Sequence, residues 1–251
     1  MKKISKLLKI LSKSGRKGIA WLVDPEKELD PARFEWIGNS GLDLILVGGS
    51  GGNSQELERT IFTIRQFSGS IPICIFPGSG LQISGLADGI LFLSLISGKN
   101  PEYLISQQAE AAPRLENLSL EILPTGYLLV NNGEILSVHK ASNTLPVLNA
   151  ELDRLKAISL AGKYLGLDYF YLEAGSGAKK PVSPEAIQVV KKSVKRPLIV
   201  GGGLDSTEKV KLAFDAGADL VVLGNTIEKD PGFLAEVLKV KMWYNQLLNI
   251  N

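Results

Sequence analysis

The chain has 251 residues, of which 45% are hydrophobic and 22% are charged, and it carries 28 basic against 26 acidic side chains. This composition excludes a disordered chain, a collagen-like repeat and a disulfide scaffold, and the near balance of charge gives no reason to expect nucleic acid as a partner. The single cysteine, Cys74, cannot form an internal disulfide, so we expect a protein of the reducing cytoplasm.

The amino-terminal segment is rich in lysine, and the lysines interrupt the apolar stretch that a signal peptide needs. We therefore expect no export, and because prolines and glycines break the longest uncharged run, residues 66–87, we expect no transmembrane segment. Apolar side chains recur between the lysines at helical spacing, at Ile4, Leu7, Leu8 and Leu11. This pattern predicts a short helix packed on the body of the domain, with a helix on a membrane surface as the alternative.

Short apolar runs alternate along the chain with segments that carry helix-start signals. The runs predict eight strands, at residues 19–23, 44–47, 71–76, 89–93, 121–130, 169–172, 198–200 and 220–223. Helix starts are predicted where a capping side chain precedes a proline or stands three residues before a glutamate, at Asn53, Asn100, Ser183 and Asp205. The connection from residue 131 to about residue 146 is the longest that we predict to be irregular.

Eight parallel strands with crossover helices favour an α/β fold of the TIM-type (β/α)8 class, with room for a modification in one helix, over an open doubly wound sheet. We find no linker, so residues 1–251 are predicted to form a single domain. In such barrels the loops that follow the strands converge on one face, and phosphate often binds after the seventh and eighth strands. Candidate functional residues are therefore sought where the strands end.

The predicted seventh and eighth strands both run into turns that contain glycine. Gly202 and Gly203 follow the seventh strand, and Gly224 and Asn225 follow the eighth. Because glycine has no Cβ, its backbone can approach an anion closely, and amides at the start of the next helix add donors. The two turns predict a phosphate cradle, with tight turns that bind nothing as the alternative.

The predicted sixth strand runs into the stretch YLEAGSG, which begins at Tyr171. Strand alternation places Tyr171 and Glu173 on one side, facing the mouth of the barrel. A carboxylate in that position can accept a proton from a substrate hydroxyl, and a neighbouring phenol can fix the geometry. The alternative is a buried glutamate that pairs with Lys179 or Lys180.

The ends of the first and second strands carry oxygen ligands. Asp24 follows the first strand and Ser50 follows the second, and together they could share one Mg²⁺, which takes few protein oxygens and leaves the rest to water or phosphate. A helix N-cap at Asp24 and a turn at Ser50 are equally good local explanations.

Several chemistries are excluded by what the chain lacks. His139 is the only histidine, so a catalytic histidine pair or a histidine-rich zinc site cannot be built. Cys74 lies inside an apolar strand and is predicted to be a core residue rather than a nucleophile. Neither the P-loop motif nor the dinucleotide-binding glycine motif is present, which argues against nucleotide-driven chemistry.

With these residues assembled, the chain closely resembles the geranylgeranylglyceryl phosphate synthase family, which includes the bacterial heptaprenylglyceryl phosphate synthases. The likeness extends almost from end to end, and YLEAGSG is its most specific element. The matching motifs are WLVDPEK (21–27), LVGGS (46–50), FPGS (76–79), NPEYLISQ (100–107), PTGYLLV (124–130), YLEAGSGA (171–178), VGGGL (200–204) and VVLGN (221–225).

The resemblance implies a prenyltransferase of membrane ether-lipid synthesis that joins sn-glycerol 1-phosphate to a long polyprenyl diphosphate, with geranylgeranyl diphosphate as the expected donor, and releases diphosphate with the help of Mg²⁺. It implies metal positions at Asp24 and Ser50, with Glu173 as the base beside Tyr171. The glycerol phosphate site that it implies comprises Tyr171, Leu172, Glu173, Ala174, Gly175, Ser176, Gly177, Gly202, Gly203, Gly224 and Asn225. The resemblance also implies a homo-oligomer, and its hydrophobic product leads us to expect a cytoplasmic enzyme with peripheral membrane contact.

A polyprenyl tail needs an apolar groove, which we place near the third and fourth strands, at Phe76, Leu81, Ile83, Phe92, Leu95 and Ile96. Two other functions stay open at this point. One is another phosphate-binding barrel enzyme, such as a sugar-phosphate isomerase, although Asn131 and Asn132 follow the fifth strand where such enzymes usually place a second acid. The other is a flavin- or phosphate-binding module without catalysis.

Overall fold

Parallel strands close into a barrel in the computed structural model, which describes residues 3–49, 51, 53–80 and 82–248. The barrel strands are β1 (Gly18–Val23), β2 (Leu44–Val47), β3 (Ile73–Ile75), β4 (Gly89–Leu95), β5 (Glu121–Asn131), β7 (Tyr169–Glu173), β8 (Leu198–Gly201) and β9 (Leu220–Leu223). Pairing of β4 with β5 and of β1 with β9 completes the ring. All eight predicted strands are confirmed, and a two-residue strand, β6 (Val147–Leu148), is added beside the end of β5.

Side chains alternate between two buried layers because successive residues of a strand point to opposite faces. In β7, Tyr169 and Tyr171 face the barrel interior, whereas Phe170 and Leu172 face the surrounding helices. Cys74 is fully buried in the interior layer, which confirms its prediction as a core residue. The strand sequences are nearly unbroken apolar runs because both faces of the sheet are covered.

Helices surround the barrel and close one end of it. They are α1 (Lys3–Ser14), α2 (Ser54–Arg65), α3 (Gln107–Glu116), α4 (Ser137–Ser142), α5 (Leu152–Tyr164), α6 (Pro184–Val194), α7 (Thr207–Asp215), α8 (Asn225–Lys229) and α9 (Pro231–Leu247), with a 3-10 helix at Pro31–Asn39 and a π-helical turn at Glu102–Ser106. None of the described helices is long and apolar enough to cross a bilayer. The connection predicted to be irregular after β5 contains α4, which is too short to show a helical period in the sequence.

Three of the four predicted helix starts are confirmed by their capping bonds. Asn53 forms a capping box at α2, Ser183 accepts the Ala186 amide at α6, and Asn100 accepts the Glu102 amide at 3.1 Å. The fourth prediction, Asp205, misplaces the N-cap of its helix by one residue.

At α7 the cap is Ser206, whose Oγ accepts the Lys209 amide at 3.3 Å. Asp205 instead forms an ion pair with Lys209 at 2.7 Å. A hydroxyl one residue further along satisfies the same free amide, so the carboxylate is left to pair with the lysine.

Helix α1 closes the amino-terminal end of the barrel. Its apolar residues Ile4, Leu8 and Leu11 are buried in the interior layer. The Glu121 carboxylate accepts the amides of Ile4 and Ser5 at 2.9 and 2.7 Å and so caps the helix from the start of β5. The predicted packing of α1 on the domain is confirmed, and its apolar side is not available to a membrane surface.

The wall of the barrel is incomplete between β3 and β4. Because β3 ends at Ile75, β4 pairs with it only as far as Ile90. The described residues of the connection, 76–80 and 82–88, form no helix, which is the modification that the fold prediction allowed. At this seam the Gln108 side chain donates a hydrogen bond to the Leu93 carbonyl, so α3 satisfies a backbone group of β4.

Carboxylates brace the amino-terminal end of the barrel, the end that α1 closes. Three aspartates stand immediately before a strand. Each accepts a backbone amide of the neighbouring strand and pairs with a basic side chain: Asp43 (Ile19 amide, Lys241), Asp88 (Ile73 amide, Arg65) and Asp219 (Leu198 amide, Lys191). Each carboxylate therefore joins two adjacent strands and a helix. Asp219 is the most buried of the three, and burial makes its charge-assisted bonds stronger than exposed ones.

We expect Asp219→Ala to lower the free energy of unfolding by about 3 kcal/mol, because it leaves the buried Leu198 amide without its acceptor and the Lys191 ammonium without its carboxylate. Asp205→Asn, which breaks the exposed pair with Lys209, should cost less than about 1 kcal/mol. Urea denaturation of the two variants measures both values. Equal losses would contradict the bracing role of Asp219.

Candidate active site

Glu173 ends β7 at the mouth of the barrel. Its side chain is 6% exposed and lines a cavity of about 520 Å³ that opens at the carboxyl ends of the strands. Tyr171 lies two residues earlier and lines the same cavity. The structure thus brings these two predicted residues together on the side that strand alternation indicates.

The Glu173 carboxylate is held without a basic partner. Its Oε1 accepts the Gly175 amide at 2.7 Å, and no lysine or arginine of the described residues forms an ion pair with it. Burial raises the pKa of Glu173 to about 7, and the Gly175 hydrogen bond opposes that rise. The alternative of a structural pair with Lys179 or Lys180 is wrong. A carboxyl group that titrates near neutrality is suited to general-base chemistry.

Tyr171 is packed into an aromatic cluster behind the carboxylate. Its ring stacks on Phe76 with centroids 5.2 Å apart and meets Tyr127 edge-on at 5.5 Å. Its hydroxyl is buried and has no hydrogen-bond partner among the described residues. Burial, and then the charge of Glu173, raise the pKa of Tyr171 well above its ordinary value, so the phenol stays protonated.

The glycine turn after β8 lies directly against these two side chains. Gly202 and Gly203 have φ of +83° and +69°, which favour glycine. A Cβ at Gly202 would lie 2.4 Å from Glu173 Oε1, and a Cβ at Gly201 would lie 2.4 Å from the Tyr171 hydroxyl. The turn therefore needs glycine both for its conformation and for its approach to the carboxylate.

A chain of polar side chains links three loops across the mouth. Asn225 Nδ2 donates to Ser176 Oγ at 3.0 Å, and Lys27 Nζ donates to Asn225 Oδ1 at 2.7 Å. Lys27 also pairs with Glu228 at 2.7 Å. The sequence prediction omitted Lys27, although it stands in the WLVDPEK motif, because nothing in its spacing indicates that it reaches the loop after β9.

Other predicted phosphate-site residues surround the same opening. The cavity is lined by Ser176, Gly177, Gly202, Gly203, Gly224 and Asn225. Leu172 does not line the cavity, because its side chain faces the outer layer of helices. Ala174 and Gly175 are buried in the turn that follows Glu173.

One of the two proposed metal positions, Asp24, follows the end of β1. Asp24 is half-buried, its Oδ1 accepts the Glu26 amide at 3.1 Å, and a Cβ at Gly49 would lie 3.5 Å from that oxygen. Ser50 lies outside the described residues. The described residues contain no cluster of three or more histidine, cysteine or acidic side chains that could enclose a metal ion. A lone carboxylate fits Mg²⁺, which keeps several water or phosphate ligands.

The helix N-cap explanation for Asp24 is wrong. The 3-10 helix that follows β1 begins at Pro31, and its cap is Asp30, whose Oδ1 accepts the Ala32 amide at 3.1 Å. Asp24 stabilises only the short turn that precedes this helix.

The cavity continues as an apolar groove through the seam between β3 and β4. Of the groove residues predicted, four line it: Phe76, Ile83, Phe92 and Leu95. Leu81 lies outside the described residues, and Ile96 was predicted wrongly. Ile96 follows β4 and packs instead against Gly126 and Gly162, on the side of α5.

Comparisons with known proteins agree with this geometry. The family model described as PcrB matches residues 15–241. A geranylgeranylglyceryl phosphate synthase of Spirosoma linguale is 44% identical over 236 residues, which cover 93% of this chain and 94% of the relative. The corresponding enzyme of Sulfolobus acidocaldarius is 41% identical over 87% of this chain and 86% of its own.

A solved structure is also similar in shape. The (S)-3-O-geranylgeranylglyceryl phosphate synthase of Thermoplasma acidophilum, crystallised in complex with sn-glycerol-1-phosphate, superposes with a TM-score of 0.86 and 30% sequence identity. The match covers 95% of this chain and 98% of that one.

The contact between Gly202 and the carboxylate generates a stability prediction. Gly166→Ala introduces a side chain at a φ of +93° with no atom within 4 Å of the new Cβ, so we expect a loss of about 1 kcal/mol from backbone strain alone. Gly202→Ala adds the collision with Glu173 and should lose roughly 3 kcal/mol. Thermal and urea unfolding of the pair give the difference, and equal losses would contradict the close approach.

Proposed function

Because the chain belongs to the PcrB family, we propose that it is a prenyltransferase that joins sn-glycerol 1-phosphate to a long polyprenyl diphosphate, forming an ether bond and releasing diphosphate. The proposal extends to this chain the activity for which its relatives are named, and the substrate in whose presence the similar structure was crystallised. The observation that carries it is a buried, unpaired carboxylate between a glycine turn and an apolar groove. We expect geranylgeranyl diphosphate as donor and a role in membrane ether-lipid synthesis.

We assign the glycerol phosphate to the glycine-lined side of the mouth. The turns at Gly202, Gly203 and Gly224 offer backbone without Cβ atoms, and Ser176 and Asn225 offer side-chain donors. Fixed donors hold a phosphate in one orientation, and that orientation determines which hydroxyl of the glycerol meets the carboxylate.

Glu173 is the proposed base. It takes the proton of the glycerol hydroxyl while that oxygen forms a bond to C1 of the prenyl chain, and the bond from C1 to the diphosphate oxygen breaks. Tyr171 backs the carboxylate through its aromatic packing, and its phenol stays protonated. Asp24 and Ser50 would hold Mg²⁺, which when bound neutralises charge on the diphosphate leaving group.

The apolar groove is the proposed site of the prenyl chain. It leaves the mouth beside Phe76 and passes Phe92 and Ile83 to the outer face of the barrel. Its lining is mostly apolar, which suits a hydrocarbon tail and does not suit a sugar phosphate.

The two other candidate functions have less support. Asn131 commits its amide group to backbone atoms, so β5 supplies no second acid of the kind that a sugar-phosphate isomerase needs. A flavin-binding module would be coloured when purified, and a colourless protein without absorbance in the flavin bands would count against it.

Oligomeric state, membrane contact and cytoplasmic location stay predictions. Since α1 buries its apolar side, membrane contact would have to use its exposed lysines and the exposed Met242 and Trp243 of α9. Sedimentation with anionic lipid vesicles tests this contact, and light scattering tests the homo-oligomer; a monomer that stays in the supernatant would contradict both.

The reaction itself is tested by incubating the protein and Mg²⁺ with labelled sn-glycerol 1-phosphate and prenyl diphosphates of several chain lengths. We expect a labelled, organic-soluble ether product, with the highest yield for a 20-carbon donor. Glu173→Gln should keep glycerol phosphate binding but lose about 100-fold or more in turnover, because the proton acceptor is removed while the shape is kept.

The wild-type value of kcat/KM should fall as the pH is lowered through about 7, since Glu173 then becomes protonated and cannot act as a base. A pH-rate profile measures this limb. Near-normal turnover of Glu173→Gln would remove Glu173 from the reaction while leaving the product assay as a separate test of the activity.

For the metal position, Asp24→Asn should raise the Mg²⁺ concentration needed for half-maximal turnover by at least about tenfold, a cost typical of weakened metal ligation. Glu28→Gln, a nearby exposed acid, is the matched control and should leave the titration unchanged. An unaltered titration for Asp24→Asn would remove this residue from the metal site.

A further inference from the structure

We propose that Asn131 is a positioning residue for the Glu173 carboxylate, and that the loop after β5 holds the turn after β7 in the shape that the carboxylate needs. The proposal rests on the proposed function only in taking Glu173 as the base. Asn131 ends β5, is 1% exposed and does not line the cavity, so it acts through the turn rather than on a substrate.

The central contact is a hydrogen bond between neighbouring strand ends. Asn131 Nδ2 donates to the Ala174 carbonyl at 3.0 Å, immediately after Glu173 in the chain. The peptide that carries this carbonyl also carries the Gly175 amide, which donates to Glu173 Oε1 at 2.7 Å. Because a peptide unit is planar, fixing its carbonyl fixes the direction of its N–H bond toward the carboxylate.

Two further contacts from the same loop hold the turn. The Leu136 side chain covers Gly175 so closely that a Cβ there would lie 2.6 Å from Leu136 Cδ1. Glu134 Oε2 accepts the Lys179 amide at 3.3 Å. The loop therefore contacts the turn near its start, at Ala174 and Gly175, and again at Lys179.

The Asn131 side chain uses both ends of its amide. Its Oδ1 accepts the amides of Gly133 and Glu134 at 2.7 and 3.1 Å, and its Nδ2 donates to the Glu134 carbonyl as well as to Ala174. An aspartate could keep the accepting half of this set but could not donate to Ala174. Asn131→Asp thus separates folding of the loop from control of the turn.

Several titratable groups surround the carboxylate whose position is at issue. Tyr171 stands beside Glu173 on β7, and Tyr127 faces it from β5 with a pKa that burial, and then the charge of Glu173, raise. The charged groups that line the cavity are Lys179, Asp205 and Lys229. Among the described residues none of these groups forms a hydrogen bond or ion pair with the Asn131 side chain. The titratable group beside Asn131 is His139, whose Nε2 lies 3.5 Å from Asn131 Nδ2 and whose pKa is lowered by burial.

The test is a ¹³C NMR titration of glutamate carboxyl carbons in the ligand-free protein. The Glu173 signal is identified by its absence from the spectrum of the Glu173→Gln variant. In Asn131→Ala and Asn131→Asp we expect the Glu173 midpoint to move to higher pH, because the Gly175 donor is no longer held on the carboxylate. Leu136→Ala, which adds no charge, should move it in the same direction. Asn132→Ala is the matched control, since Asn132 is exposed and its side chain accepts one hydrogen bond within the described part of the chain, from Asn149.

Turnover of the same variants gives the second readout. We expect kcat to fall by about 10- to 100-fold in Asn131→Ala, as for a slightly misplaced catalytic group, while KM for sn-glycerol 1-phosphate stays within about threefold. A fall in kcat with an unmoved Glu173 midpoint would overturn the positioning role. A moved midpoint in a protein whose wild type makes no ether product would uphold the positioning role and overturn the proposed function.

Discussion

A carboxylate that is kept from water, with no cation paired to it in the described part of the chain, is the constraint on which the rest of the site depends. Removing Glu173 from water disfavours its charged form, and one amide of the following turn offsets only part of this effect. A lysine in contact would stabilise the charge and depress the basicity that the chemistry uses. The neighbouring surfaces are therefore an aromatic cluster and a glycine turn, which add no positive charge.

The glycines after β8 follow from the same constraint. At Gly202 the backbone passes where a side chain would strike the carboxylate, and its φ lies in the region that favours glycine. The turn thus comes within reach of both the acid and a bound anion. The barrel supplies the rigidity for this arrangement, because β7 and β8 are paired up to the residues that act.

The elements that the sequence predicts well are those whose signal is local. Continuous apolar runs identify all eight barrel strands, and alternation in β7 turns Tyr171 and Glu173 to the mouth. The predictions fail where an element is too short to show a period, or where a contact joins residues that are far apart in the sequence. Strand β6 has two residues and α4 has six, so neither shows a period, and the cap at α7 moves from Asp205 to Ser206 because two capping residues adjoin. No local pattern shows that Glu173 lacks a lysine partner or that Asn131 reaches Ala174, since both depend on strands distant in sequence.

The short strand β3 has a consequence for how a long molecule can be accommodated. A complete barrel would have to accept a hydrocarbon chain end-on, and its interior volume would limit the length of the chain. Here the wall opens sideways above Ile90, where Gln108 of α3, rather than another strand, donates a hydrogen bond to the Leu93 carbonyl of β4. Under the proposed function the reacting end can stay fixed at the mouth while additional carbons extend over the outer surface, so the reaction geometry and the reach of the tail can vary independently.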